Sequence, residues 1–157
     1  MDSLRCQVEI AANKESVWQA LTKSDKITKW FAPAANIDAR TGGEFELFFD
    51  PADRSHMCTK GCKITRFEPM DRLGFTWKGP DEFAALMNDE ASLTNVLVTF
   101  SEENGATLVV VEHSGWGDGS EWEKARSWHQ MAWQQALGSL KSALESGEGD
   151  LCCSPQE

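Results

Sequence analysis

The sequence predicts an α+β fold in which a curved antiparallel sheet wraps around a long C-terminal helix, with two short helices after the first strand. Three observations predict it. Apolar and polar residues alternate in a series of short stretches up to residue 113, the period of strands with one buried face. From Ser120 onward the apolar spacing becomes helical and stays so to Leu144, the longest regular pattern in the chain. Between the first strand and the rest lies one compact amphipathic segment that ends at Pro33.

Each element has its own signal. Leu4, Cys6, Val8 and Ile10 alternate with Arg5, Gln7 and Glu9, predicting a half-buried first strand. Asn13 is suited to cap a helix whose Val17, Trp18 and Leu21 share one side and which ends near Thr22. Ser24 or Asp25 offers a second cap for a helix over 26–31. Gly42-Gly43 marks a turn into a strand on which Phe45, Leu47 and Phe49 alternate with Glu44 and Glu46. Residues 60–67, alternating around Cys62 and Ile64, and residues 72–78, with Leu73, Phe75 and Trp77 on one face, predict a hairpin turning at Glu68-Pro69-Met70-Asp71. A second hairpin joins 96–100 to 107–113 through Asn104-Gly105, whose two residues tolerate positive φ. Ser120 and Glu123 form a capping box at the start of the last helix. Gly147 suits its C′ position. No repeat or linker interrupts the chain, so residues 1–147 read as one domain and 148–157 as a flexible tail.

Composition narrows the function. The 157 residues include 25 acidic and 15 basic side chains, a formal net charge of −10, and that field repels phosphate backbones and anionic lipid surfaces. Nucleic-acid and membrane partners are therefore not expected, and no apolar run is long enough to cross a bilayer. Five scattered cysteines, Cys6, Cys58, Cys62, Cys152 and Cys153, do not read as a disulfide framework. Without an apolar leader at Met1-Asp2-Ser3-Leu4-Arg5, a cytoplasmic protein with reduced thiols is the expectation.

The order of strand, two short helices, antiparallel strands and terminal helix is a helix-grip arrangement. It is joined by Glu15-Ser16-Val17-Trp18-Gln19-Ala20-Leu21-Thr22, Ile27-Thr28-Lys29-Trp30-Phe31, Gly42-Gly43-Glu44-Phe45, Leu73-Gly74-Phe75-Thr76-Trp77, Val98-Thr99-Phe100 and His113-Ser114-Gly115-Trp116. On these residues the chain resembles the START/Bet v 1-like (SRPBCC) superfamily, and within it proteins related to the activator of Hsp90 ATPase. Two features depart from that pattern: a longer segment at 79–91, and Ala132 where relatives place glycine before the tryptophan. The resemblance implies a cavity between sheet and terminal helix. It does not select among carriers, cyclases, hydrolases and co-chaperone modules.

The cavity-facing elements carry Trp30, Phe45, Phe75, Trp77, Phe100 and Trp133, a set that either binds a flat apolar ligand or packs as ordinary core. His113 and His129 are the candidates for a polar anchor or a general acid or base, against the plainer reading of histidines satisfied by backbone or water. Glu112 cannot pair with His113, because neighbours on a strand face opposite ways. His56, Cys58 and Cys62 are weak candidates for a metal site lacking a fourth ligand. Phe83, Leu86 and Met87 read as a lid over the cavity, a docked surface turn or a dimer contact. Exposed Trp116 and Trp122 raise the same interface question. The leading expectation is a noncatalytic carrier or sensor of a small hydrophobic molecule, needing no cofactor. An enzyme using a histidine base is the second reading. An interaction module for an Hsp90-type chaperone is the third, with a homodimer possible in any of them.

Overall fold

The computed structural model describes residues 2–50 and 52–147, so the expected tail and its Cys152 and Cys153 lie outside the described residues. Strands β1 (Leu4–Ile10), β7 (Ala106–Ser114), β6 (Thr94–Glu103), β5 (Arg72–Trp77) and β4 (Ile64–Glu68) form one antiparallel sheet in that order. Helices α1 (Lys14–Thr22) and α2 (Ser24–Ile27) follow β1, and α4 (Ser120–Ser146) packs along it as the long terminal helix. The chain thus has the α+β helix-grip fold. No helix among the described residues is long and apolar enough to cross a membrane.

Local chemistry explains most boundaries. The Asn13 side chain accepts the Ser16 N–H at 2.8 Å and starts α1. Asn104 and Gly105 take φ of 55° and 81°, the left-handed pair that closes the β6–β7 hairpin. On β6, Thr94, Val96, Val98 and Phe100 point inward with polar or half-buried residues between them.

The structure corrects several expectations. The second helix is four residues long, and Ser24 accepts the Ile37 N–H at 3.0 Å instead of capping it. Gly119, not Ser120, occupies the N-cap of α4; its carbonyl accepts Glu123 N–H and no side chain caps the end, so the capping box does not form. A strand the alternation did not show, β2 (Ala34–Ile37), pairs with β3 (Phe45–Phe48) as a small second sheet. Cys62 lies before β4 rather than on it. There threonine side chains stand in for missing ladder bonds: Thr59 Oγ1 accepts Leu47 N–H at 2.8 Å and Thr76 Oγ1 accepts Lys63 N–H at 3.0 Å. Bridges from Glu44 to Lys63 and from Phe48 to Cys58 tie the small sheet to the main one through this irregular segment. The β4–β5 register also shifts between Ile64 and Arg66.

Candidate functional site

Between the end of β5, the middle of α4 and the segment following Trp77 lies an apolar cavity of about 30 Å³, lined by Phe31, Phe49, Met57, Trp77, Trp128 and Trp133 together with Cys58, Lys78, Gly79, Pro80, His129 and Ala132. That volume holds roughly one water-sized molecule, whereas sites for organic ligands run from about 300 to 1,000 Å³. A larger guest enters only if the lining rings or the 78–80 segment move.

The lining residues Lys78, Gly79 and Pro80 lead into a 3-10 turn, Asp81–Phe83, running directly into α3 (Ala84–Met87). Its ends are held together by Asn88, whose Oδ1 accepts Gly79 N–H at 2.8 Å and whose Nδ2 donates to Gly79 O at 3.2 Å. Gly79 lets Met87 close down on the chain, since a Cβ there would lie 2.6 Å from the Met87 sulfur. Phe83 is buried and sets its ring 6.1 Å from Trp128 and 6.4 Å from His129, so the segment sits on the helix face that borders the cavity.

Outside this apolar contact the segment is latched by charge. His56 Nδ1 lies 2.6 Å from Asp81 Oδ2 and its Nε2 lies 2.9 Å from Asp50 Oδ2, with Asp53 at 3.8 Å. Asp81 also accepts Met57 N–H at 3.2 Å. Hydrogen bonds to Asp81 and then Asp50 raise the His56 pKa, and the same His56 contact leads the lowering at Asp81. Beside the latch is an open depression of about 520 Å³ bordered by Lys60, Lys78 and Glu90.

The interior histidines differ from His56 in every respect. His113 is fully buried and uses both ring nitrogens: Trp133 Nε1–H donates to Nδ1 at 3.0 Å, which leaves Nε2 to donate to Thr94 Oγ1 at 2.8 Å. Burial, with the nearby His129 second, holds its pKa well below the ordinary value. His129 is bound at Nδ1 to Ala125 O at 2.7 Å, and burial lowers its pKa to about 4. The two rings lie 5.3 Å apart inside a cage of Trp77, Phe83, Trp116, Trp128 and Trp133, with no carboxylate among their ring and hydrogen-bond partners described.

The structure brings Trp77, His129 and Trp133 to the cavity and leaves the other expected residues in the core. Phe45 and Phe75 stack at 4.0 Å, Phe100 meets Trp18 edge-on at 5.3 Å, and Trp30 stacks on Phe31 while its Nε1–H donates to Ala20 O at 2.9 Å. Each of these rings has already spent its apolar face on a partner. Phe31, Phe49, Met57 and Trp128 line the cavity without having been singled out. Phe49 continued the Phe45-Leu47 alternation and Phe31 followed Trp30, so both had a readable signal. Met57 had none. Trp116, expected at the surface, is buried with its ring 4.3 Å from His113 and its Nε1–H on His113 O, while Trp122 is half-buried. His56, Cys58 and Cys62 do not converge. His56 is held by carboxylates, the Cys58 thiol donates to Arg54 O, and burial pushes the Cys62 thiol up to about 11. Among the described residues no cluster of histidine, cysteine or acidic groups is arranged to hold a metal ion.

A sheet closed over a terminal helix with an apolar cavity between them defines a helix-grip protein. The family of Activator of Hsp90 ATPase homolog 1-like proteins matches residues 11–145, and the chain belongs to that family. Solved structures agree on the fold: the Aha1 dimer from Colwellia psychrerythraea is similar at a TM-score of 0.73 and 23% identity, covering 95% of this chain and 100% of that one. CalU16 from Micromonospora echinospora is similar at 0.67 and 25%, covering 92% and 77%. An HSP90 activator from Plasmodium falciparum is similar at 0.68 and 18%, covering 94% and 97%. A search of curated proteins finds no match.

Proposed function

We propose that this chain is a noncatalytic cytoplasmic carrier or sensor that binds one small hydrophobic molecule in the apolar cavity, with the neighbouring 81–87 segment serving as its lid. The observation that carries the reading is the cavity itself, half of whose lining residues carry aromatic rings and whose edge at Lys78, Gly79 and Pro80 leads into a short segment tied by Asn88 and by His56. Displacement of that segment would widen the entrance. The histidines favour binding over catalysis: His113 has no free nitrogen and His129 stays neutral, so neither is poised to move a proton near neutral pH.

Titration with p-xylene, followed by tryptophan fluorescence, tests it. Saturation at one molecule per chain is expected, and Ala132→Phe, which fills the cavity from α4, abolishes it. Unsaturable, linear quenching in the parent protein contradicts the proposal.

The family match and the HSP90 activator among similar structures support a second reading, an interaction module for an Hsp90-type chaperone, self-associating as the Colwellia protein does. It predicts micromolar association with that chaperone and stimulation of its ATPase.

A further inference from the structure

We infer that the molecule held in this cavity is neutral and ring-shaped and carries a hydroxyl group, which accepts a hydrogen bond from Trp77 Nε1–H and donates one to His129 Nε2. The inference rests on the cavity reading above. Among the described residues, Trp77 Nε1 and His129 Nε2 are the buried side-chain nitrogens left without a hydrogen-bond partner, and both rings line the cavity. Trp77 is 6% exposed and His129 1%. A buried polar atom without a partner is costly, and native interiors rarely leave one. This fold satisfies the neighbouring indoles: Trp30 donates to Ala20 O, Trp116 to His113 O and Trp133 to His113 Nδ1. Both exceptions belong to residues that line this cavity.

Their chemistry is complementary. An indole nitrogen only donates. His129 Nδ1 faces the Ala125 carbonyl, which only accepts, so the ring proton sits on Nδ1 and Nε2 presents a bare lone pair. Burial keeps the ring in this neutral form. One donor and one acceptor on an otherwise apolar lining match a hydroxyl, the smallest group that accepts and donates at once. A carboxylate brings no proton to Nε2. The one cationic side chain on the lining, Lys78, is turned to Lys60 O at 2.6 Å and Glu90 at 2.5 Å. An ammonium group offers no acceptor to Trp77. Phe49, Trp128 and Trp133 add aromatic surface to the same lining and suit a flat ring, so phenols and cyclic alcohols are the ligand class.

The test compares p-cresol, p-xylene and p-toluic acid on the full-length chain by two-dimensional nitrogen–proton NMR, reading the Trp77 indole N–H and the His129 Nε2 resonance. The expected result is p-cresol binding about tenfold or more tighter than p-xylene, since two net hydrogen bonds multiply. Both nitrogen resonances shift with p-cresol and not with p-xylene. In Trp77→Phe, which keeps a ring and removes the donor, the preference shrinks severalfold; should that variant fail to fold, the resonance shifts in the parent chain decide. Equal binding of p-cresol and p-xylene, or tightest binding of p-toluic acid, overturns the hydroxyl assignment and leaves the cavity reading standing. Failure of p-xylene and p-cresol alike to bind overturns both.

Discussion

Two histidine environments sit on opposite sides of one short segment. Outside the lid, His56 lies among Asp50, Asp53 and Asp81, where the charged imidazolium is favoured. Inside, His113 and His129 lie among indole and phenyl rings, where it is excluded. The same side chain thus titrates in opposite directions within one small region. The outer one acts as a charged fastener. The inner two are neutral hydrogen-bonding parts of an apolar wall.

Removing an inner ring should have the largest effect. His113→Leu keeps the bulk but strands the buried Trp133 Nε1–H and the Thr94 hydroxyl, and the expected loss is about 2–5 kcal/mol by urea denaturation. A loss below about 1 kcal/mol would mean the two groups find other partners.

Acid comes next. His129 has a folded pKa of about 4 against 6.5 for an ordinary histidine, so the unfolded chain binds more protons between those values. Its stabilisation is present above pH 6.5 and is lost as pH falls toward 4, worth roughly 3 kcal/mol in all. His113 adds in the same direction. Urea midpoints at pH 7 and pH 4.5 measure this, and a His129→Phe variant should show a shallower dependence.

The latch responds with the opposite sign and a smaller effect. Because the His56 pKa is raised, its bonds to Asp81 and Asp50 are complete below pH 6.5 and weaken as pH rises through the raised value. Hydrogen-exchange protection of amides 81–88, corrected for intrinsic rates, should fall from pH 6 to pH 9 while that of β6 and β7 does not. His56→Gln should lower lid protection already at pH 6. Protection that tracks the core at every pH would remove the latch from the account.

The thiols repeat the contrast without affecting stability. Buried Cys62, its pKa pushed up to about 11, should resist iodoacetamide at pH 8, whereas half-exposed Cys58 is alkylated first, as peptide mapping would show.

How much of this was legible depended on whether a feature was local. Alternation in 4–10 and 72–77, the β-branched run 96–100 and the Asn104-Gly105 turn are local, and they placed most of the sheet. Ala34–Ile37 has no alternation of its own, since its place is set by Phe45–Phe48 across the small sheet. The 57–63 segment is held by Thr59 and Thr76 side chains, a substitution no periodicity reveals. The cavity was half legible for the same reason. Trp77, His129 and Trp133 face the inside from elements whose period was clear. Whether Phe45 or Phe100 is free for a ligand depends on finding Phe75 and Trp18 already against it, which is a long-range fact. The glycines around Trp116 suggested an exposed loop, yet a hydrogen bond to His113 O folds that ring into the cage. Nothing in the sequence signalled that His56 would meet Asp81 across 25 residues of chain.

The most direct measurement is native mass spectrometry of the full-length protein purified from its own host, followed by organic extraction and identification of what is released. The account predicts one neutral, ring-containing, hydroxyl-bearing molecule per chain. A bare chain mass, together with no saturable binding of p-xylene or p-cresol, would contradict it and leave the rings beneath the lid as packing alone.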